Sequence, residues 1–188
     1  MRKVWRLLLV FSLLLICTAC SKEVAKKEST EPPTTMISSK MSAFDMLGKS
    51  LPDFAVTDKD GESLTSSDLQ GQVAFIINWA SWCPDCQAQL PIIQELYQRY
   101  NNRARFLAIN VTDPQKEPHG QAEKYFSEKQ YSIPYYYDDG QHAADALHVK
   151  EIPSMYLISK NGQIKQVYTV SASLEELQAG LENLLNEK

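Results

Sequence analysis

The sequence predicts an α/β domain, a central mixed β-sheet flanked by helices. Three observations carry that expectation. Segments of strand and helix length alternate along the chain. Val73–Trp79 is an apolar run broken only by Asn78, the pattern of a strand buried on both faces. Asn161-Gly162 separates two further strand-like runs and is the strongest short hairpin signal, so the sheet gains an antiparallel pair.

The elements follow in order. A short strand is expected over Phe54–Thr57, with Asp60-Gly61 as the turn after it. Ser66-Ser67-Asp68-Leu69 reads as a short helical turn with a Ser cap. The central strand Val73–Trp79 leads into a helix from about Cys83 to Tyr100, with Leu90, Ile93, Leu96, Tyr97 and Tyr100 on one face. Arg105–Val111 is the next central strand. His119–Gln130 reads as a helix, Tyr135–Tyr137 as a short strand and Gln141–His148 as another helix. Met155–Ser159 and Gln163–Val170 form the hairpin. The last helix opens with Ser173-Leu174-Glu175-Glu176, a capping box, and carries Leu177, Leu181, Leu184 and Leu185.

Before this domain lie two segments of different composition. Arg2, Lys3 and Arg6 form a basic start, and an apolar run follows from Leu7 to Ile16. That run is too short to cross a bilayer and has the layout of a secretory signal peptide, expected over 1–19. Cys17-Thr18-Ala19-Cys20 resembles a bacterial lipobox, with Cys20 as the lipidated residue; Cys17 stands where Leu is usual. Cleavage there would remove Cys17, so this C-x-x-C leaves no dithiol. Residues 20–50 are rich in Ser, Thr, Lys, Glu and Pro and read as a lipidated tether with a span of about 30 Å. The folded domain is expected over 51–188, and the expected location is extracytoplasmic, anchored to a membrane through Cys20.

Charge excludes one class of partner. The chain carries a formal −4, about −7 once Arg2, Lys3 and Arg6 are removed, and shows no basic stripe. Nucleic acid therefore has no electrostatic footprint here.

The chemistry is expected at Trp79-Ala80-Ser81-Trp82-Cys83-Pro84-Asp85-Cys86, where a strand meets a helix. The unpaired N–H groups and dipole of a helix N-terminus stabilise a thiolate at Cys83. Cys86 lies one turn on, within reach of a disulfide with Cys83. Cys83 would attack a substrate disulfide, and Cys86 would resolve the mixed disulfide. A zinc site needs two more Cys or His ligands, and His119, His142 and His148 lack ligand spacing. A purely structural disulfide closing so short a loop would add little stability. The exchange reaction calls for no cofactor and no metal. Two prolines accompany the pair: Pro91 inside the helix that starts at Cys83, and Pro153 in Ile152-Pro153-Ser154 just before a strand. In a cis form Pro153 would present the Ile152 backbone to an extended substrate.

Four stretches carry a resemblance: GKSLPDFAVTDKDG over 48–61, SDLQGQVAFIINWASWCPDCQAQLP over 67–91, YSIPYYYD over 131–138 and VKEIPSMYLISKNG over 149–162. In these the chain resembles the thioredoxin superfamily, and within it the TlpA/ResA-like extracytoplasmic thioredoxins and their redoxin relatives. The resemblance implies a thioredoxin fold with an inserted helix and strand at about 118–137, and a cis Pro153 lying against Cys83. It implies thiol–disulfide exchange by Cys83 and Cys86, with Trp82, Pro84, Asp85, Ile152 and Pro153 binding substrate. Exported protein thiols or disulfides would be the substrates, a membrane thiol-transfer protein the redox partner, and reduction the favoured direction, with a disulfide-forming oxidase as the alternative. The chain departs from the family in two acids. Gln89 replaces a Glu common in TlpA-like proteins, and Ile77 replaces the buried Asp of thioredoxin, so Cys86 lacks an evident base. Asp85, between the cysteines, would oppose a thiolate on Cys83.

Two other functions compete. A peroxidase of the peroxiredoxin type needs Pro-x-x-x-Thr-x-x-Cys, but Ile76 and Ala80 stand at the Pro and Thr positions before Cys83. A non-catalytic binding lipoprotein would have no need of the intact cysteine pair.

Overall fold

A computed structural model describes residues 41–187. The signal segment, Cys17, Cys20 and most of the expected tether lie outside the described residues. Seven strands form one mixed sheet: β1 (Ala55–Thr57), β2 (Ser63–Thr65), β3 (Ala74–Trp79), β4 (Arg105–Val111), β5 (Tyr135–Asp138), β6 (Ser154–Ile158) and β7 (Ile164–Tyr168), in the order β2-β1-β5-β4-β3-β6-β7. β3, β4 and β5 run parallel, and the remaining pairs are antiparallel. Four helices accompany the sheet: α1 (Pro84–Tyr100), α2 (Gln121–Lys129), α3 (His142–Ala146) and α4 (Leu174–Asn186).

β3 is an interior strand between β4 and β6, and every one of its residues is buried, as its apolar run requires. Alternation along it divides the core in two. Phe75, Ile77 and Trp79 face Leu90, Ile93 and Leu96 of α1, Phe126 of α2 and Leu177 and Leu181 of α4. Ala74 and Ile76 face the other side, with Leu107, Ile109, Tyr156 and the Ala143 and Leu147 of the α3 region. The hairpin falls at Asn161-Gly162, where Gly162 takes φ 77° and Ser159 N–H donates to Gln163 O at 2.9 Å. Ser173 caps α4: its Oγ accepts from Glu176 N–H at 3.2 Å while its own N–H donates to the Glu176 carboxylate at 2.8 Å.

Several boundaries differ from the sequence reading. The tether expected to reach residue 50 meets the fold earlier, because a 3-10 turn at Ala43–Met46 buries Ala43 and Met46 in the second core. Lys49 and Ser50 then join the edge of β7 through Ile164 and Gln163. Ala43 and Met46 lie at the end of the segment 20–50, whose average composition is polar, so composition averages them away. The turn at Ser66–Leu69 is capped by Thr65 rather than a Ser, since Asp68 accepts from both the N–H and the hydroxyl of Thr65. α2 starts two residues late, after Gly120 in the left-handed region at φ 94°. α3 is shorter than expected because Gln141 and His148, at φ 61° and 56°, leave the helical region at either end.

Candidate active site

Cys83 sits where β3 hands the chain to α1. It is the N-cap of α1, with Pro84 in the first turn, where a missing N–H costs nothing. Its Sγ accepts from the Cys86 N–H at 3.3 Å, so the sulfur takes the place of the oxygen that usually caps a helix. Cys83 and Cys86 are free thiols, 5% and 0% exposed. Burial pushes the Cys86 thiol far up, and the hydrogen bond to Cys83 and the charges of Cys83 and Asp85 push the same way. Ile77, where thioredoxin has an acid, is buried in the same core as Cys86.

The Ile152-Pro153 peptide bond is cis, as the resemblance implies. Cys83 Sγ donates to the Ile152 carbonyl at 3.5 Å, so the loop before β6 and the start of α1 meet at this sulfur. The register explains the meeting: Asn78 of β3 lies opposite Ser154 of β6. Around the thiol, Trp82 is 48% exposed, Pro84 and Asp85 are exposed on the first turn, Ile152 is half-buried and Pro153 is buried.

Gln89 is not an open acid position. It is fully buried, and its amide makes both hydrogen bonds of a pair with the Ala172 backbone, Nε2 to O at 3.1 Å and Ala172 N–H to Oε1 at 2.8 Å. The side chain straps α1 to the segment that enters α4. A carboxylate there would set an oxygen against the Ala172 oxygen.

One residue near the thiols escaped the sequence reading altogether. Glu117 is fully buried, and its carboxylate accepts from the Ser81 N–H at 3.0 Å, the Ser81 hydroxyl at 2.7 Å and the Asn110 amide at 2.8 Å. Asn110 ends the buried part of β4. A Glu beside Pro118 in a polar loop gives no sequence signal of burial. Its neighbour Lys116 places Nζ 5.5 Å from the centre of the Trp82 ring. Tyr125 of α2 packs on Trp79, with ring centroids 5.7 Å apart. Its hydroxyl is pushed up by burial and by the charge of nearby Cys86.

Known proteins agree with this geometry. The chain is 31% identical over 139 residues to the thiol-disulfide oxidoreductase ResA of Geobacillus kaustophilus, covering 73% of this chain and 78% of that protein. The ResA of Geobacillus thermodenitrificans is 29% identical over the same length and shares. Among solved structures, the exposed lipoprotein thioredoxin of Streptococcus pneumoniae superposes with a TM-score of 0.63 at 21% identity, covering 70% of this chain and 99% of that one. StoA of Bacillus subtilis gives 0.60 at 21%, covering 69% and 96%. With the AhpC/TSA family model matching residues 47–167 as well, the chain belongs to the AhpC/TSA family, among its thiol–disulfide oxidoreductases on the thioredoxin fold.

Proposed function

We propose that this protein exchanges disulfides with exported protein substrates through Cys83 and Cys86, outside the cytoplasm, and that it works as a reductase. The observation that carries the proposal is the Cys83 sulfur, held at a helix N-terminus between the Cys86 N–H and the Ile152 carbonyl. In the reductive direction the Cys83 thiolate attacks one sulfur of a substrate disulfide. A Cys83–substrate bond forms, the substrate S–S bond breaks, and the second substrate sulfur leaves as a thiolate that takes up a proton. Cys86 then loses its proton and attacks the Cys83 sulfur. The substrate leaves fully reduced, and two electrons have passed from the dithiol, which is now a disulfide. A membrane thiol-transfer protein would reduce it again.

Trp82, Pro84, Asp85, Ile152 and Pro153 are the proposed substrate contacts. Trp82 offers an exposed apolar face beside the sulfur, and the Ile152 backbone offers hydrogen-bonding groups to an extended peptide. Lipidation at Cys20 would anchor the protein. With residues 41–50 packed on the domain, the tether shortens to roughly twenty residues and a span of about 25 Å.

Turnover of insulin disulfides, abolished in Cys83→Ala, tests the exchange. A cell lacking the protein tests the direction: exported substrates that accumulate as free thiols instead of disulfides would establish an oxidase. Ile76 and Ala80 stand where a peroxiredoxin-type peroxidase has its Pro and Thr, so the reading as a peroxidase gains no support.

A further inference from the structure

We infer that Glu117 is a positioning residue for the redox loop, and that through it the turn from Asp113 to Glu117 sets the reactivity of Cys83. The inference rests on the exchange reading proposed above. A buried carboxylate is expensive unless its oxygens are supplied with donors, and an apolar residue would serve packing better. Glu117 has three donors, and two of them belong to Ser81, two residues before Cys83. The carboxylate therefore holds the redox loop itself.

The hold continues in both directions. Behind Glu117, the turn is internally fixed: Asp113 and Glu117 exchange both backbone hydrogen bonds, at 3.0 and 2.8 Å, and the Asp113 carboxylate accepts from the N–H groups of Gln115 and Lys116. Ahead of it, the Ser81 carbonyl accepts from the Gln87 amide at 2.6 Å, one turn past Cys83 on α1. Lys116, the neighbour of Glu117, sits over the Trp82 ring. Consecutive residues of one turn thus grip consecutive residues of the redox loop, Glu117 on Ser81 and Lys116 on Trp82.

The clasp acts through geometry. The two bonds from Ser81 fix the angle at which the chain enters α1, and so the place of the Cys83 sulfur at the helix end. Other ionisable groups around the loop are Asp85 on α1, Lys116 on the turn, and Lys124, Tyr125 and Glu128 of α2, which line one small cavity with Ser81. All of them stay in place in the variants below.

Glu117→Gln keeps an acceptor for the Ser81 N–H and removes the charge, whereas Glu117→Ala removes both. In the full reduced chain, the rate of Cys83 alkylation by iodoacetamide is followed at one fixed pH by mass spectrometry, with exchange of the Ser81 amide hydrogen as the second measurement. Glu117→Gln, which keeps an acceptor for Ser81, should leave both the alkylation rate of Cys83 and Ser81 exchange close to wild type. Glu117→Ala should speed Ser81 exchange by about tenfold or more and change the alkylation rate of Cys83 by about threefold or more. A folded Glu117→Ala chain that alkylates Cys83 at the wild-type rate overturns the inference; where that variant fails to fold, a wild-type rate in Ser81→Ala, which loses the 2.7 Å hydroxyl bond to Glu117, overturns it. A wild-type chain that turns over no insulin sinks the exchange reading instead, whatever the Glu117 variants show.

Discussion

At the scale of single residues, the two cysteines are made different by their surroundings rather than by their chemistry. Cys83 caps a helix and keeps a small opening to solvent, whereas Cys86 is closed off inside the larger core. Under the proposed mechanism, Cys86→Ala should accumulate mixed disulfides with substrate proteins, and Cys83→Ala should accumulate few. Non-reducing gels of cells carrying each variant give the answer directly. The raised Cys86 thiol predicts a pH dependence too. Near neutral pH Cys86 holds its proton, so release of substrate from the mixed disulfide should quicken steadily as pH rises into the alkaline range, measurable by stopped flow. The same shift has a sign for stability. The folded chain holds this proton more tightly than the unfolded one, so the contribution is complete below the unfolded value of about 8.5 and is lost as pH climbs above it. Melting of the reduced protein should therefore fall off at alkaline pH more steeply than melting of the oxidised protein, in which Cys86 has no proton to lose.

At the scale of elements, the site depends on contacts between segments distant in sequence. Gln89 was expected to mark a missing base, and the fold uses it as a strap from α1 to Ala172. Gln89→Glu should accordingly cost about 1–3 kcal/mol in thermal or denaturant unfolding, from one hydrogen bond lost and an oxygen set against an oxygen. Faster exchange near neutral pH with unchanged stability would show instead that position 89 accepts a proton from Cys86. α4 offers a cleaner local test. Its capping box is complete, so Ser173→Ala should cost about 1 kcal/mol in the same unfolding measurement, leaving the redox site in place. Here sequence and structure coincide, because a capping box is set by neighbours three residues apart. The strap could not be read in the same way, because 83 residues separate its two ends.

At the scale of the whole molecule, one sheet carries two cores, and the redox pair lies just past the end of the interior strand β3. The second core is closed from outside the expected domain, by Ala43 and Met46. Met46→Ala should cost about 2–5 kcal/mol in global unfolding, and a chain beginning at residue 51 should be less stable than one beginning at residue 41 by at least as much. Equal stability of the two truncated chains would show that the 3-10 turn only rests on the surface.

What the sequence determined by itself was whatever depends on near neighbours. The apolar run of β3, the Asn161-Gly162 turn, the cap at Ser173 and the Cys83–Cys86 spacing each lie within a few residues, and each is present in the fold. Periodicity and turn chemistry act locally, so they can be read locally. The tertiary structure alone decided which distant groups meet. The Ile152 carbonyl reaches Cys83 across 69 residues, and Glu117 reaches Ser81 across 36. Both contacts follow from strand order, because β4 and β6 flank β3 and bring the segments that adjoin them to its C-terminal end. A buried Glu or Gln looks like a surface residue in sequence, since only its partners make its burial tolerable, and those partners arrive with the fold.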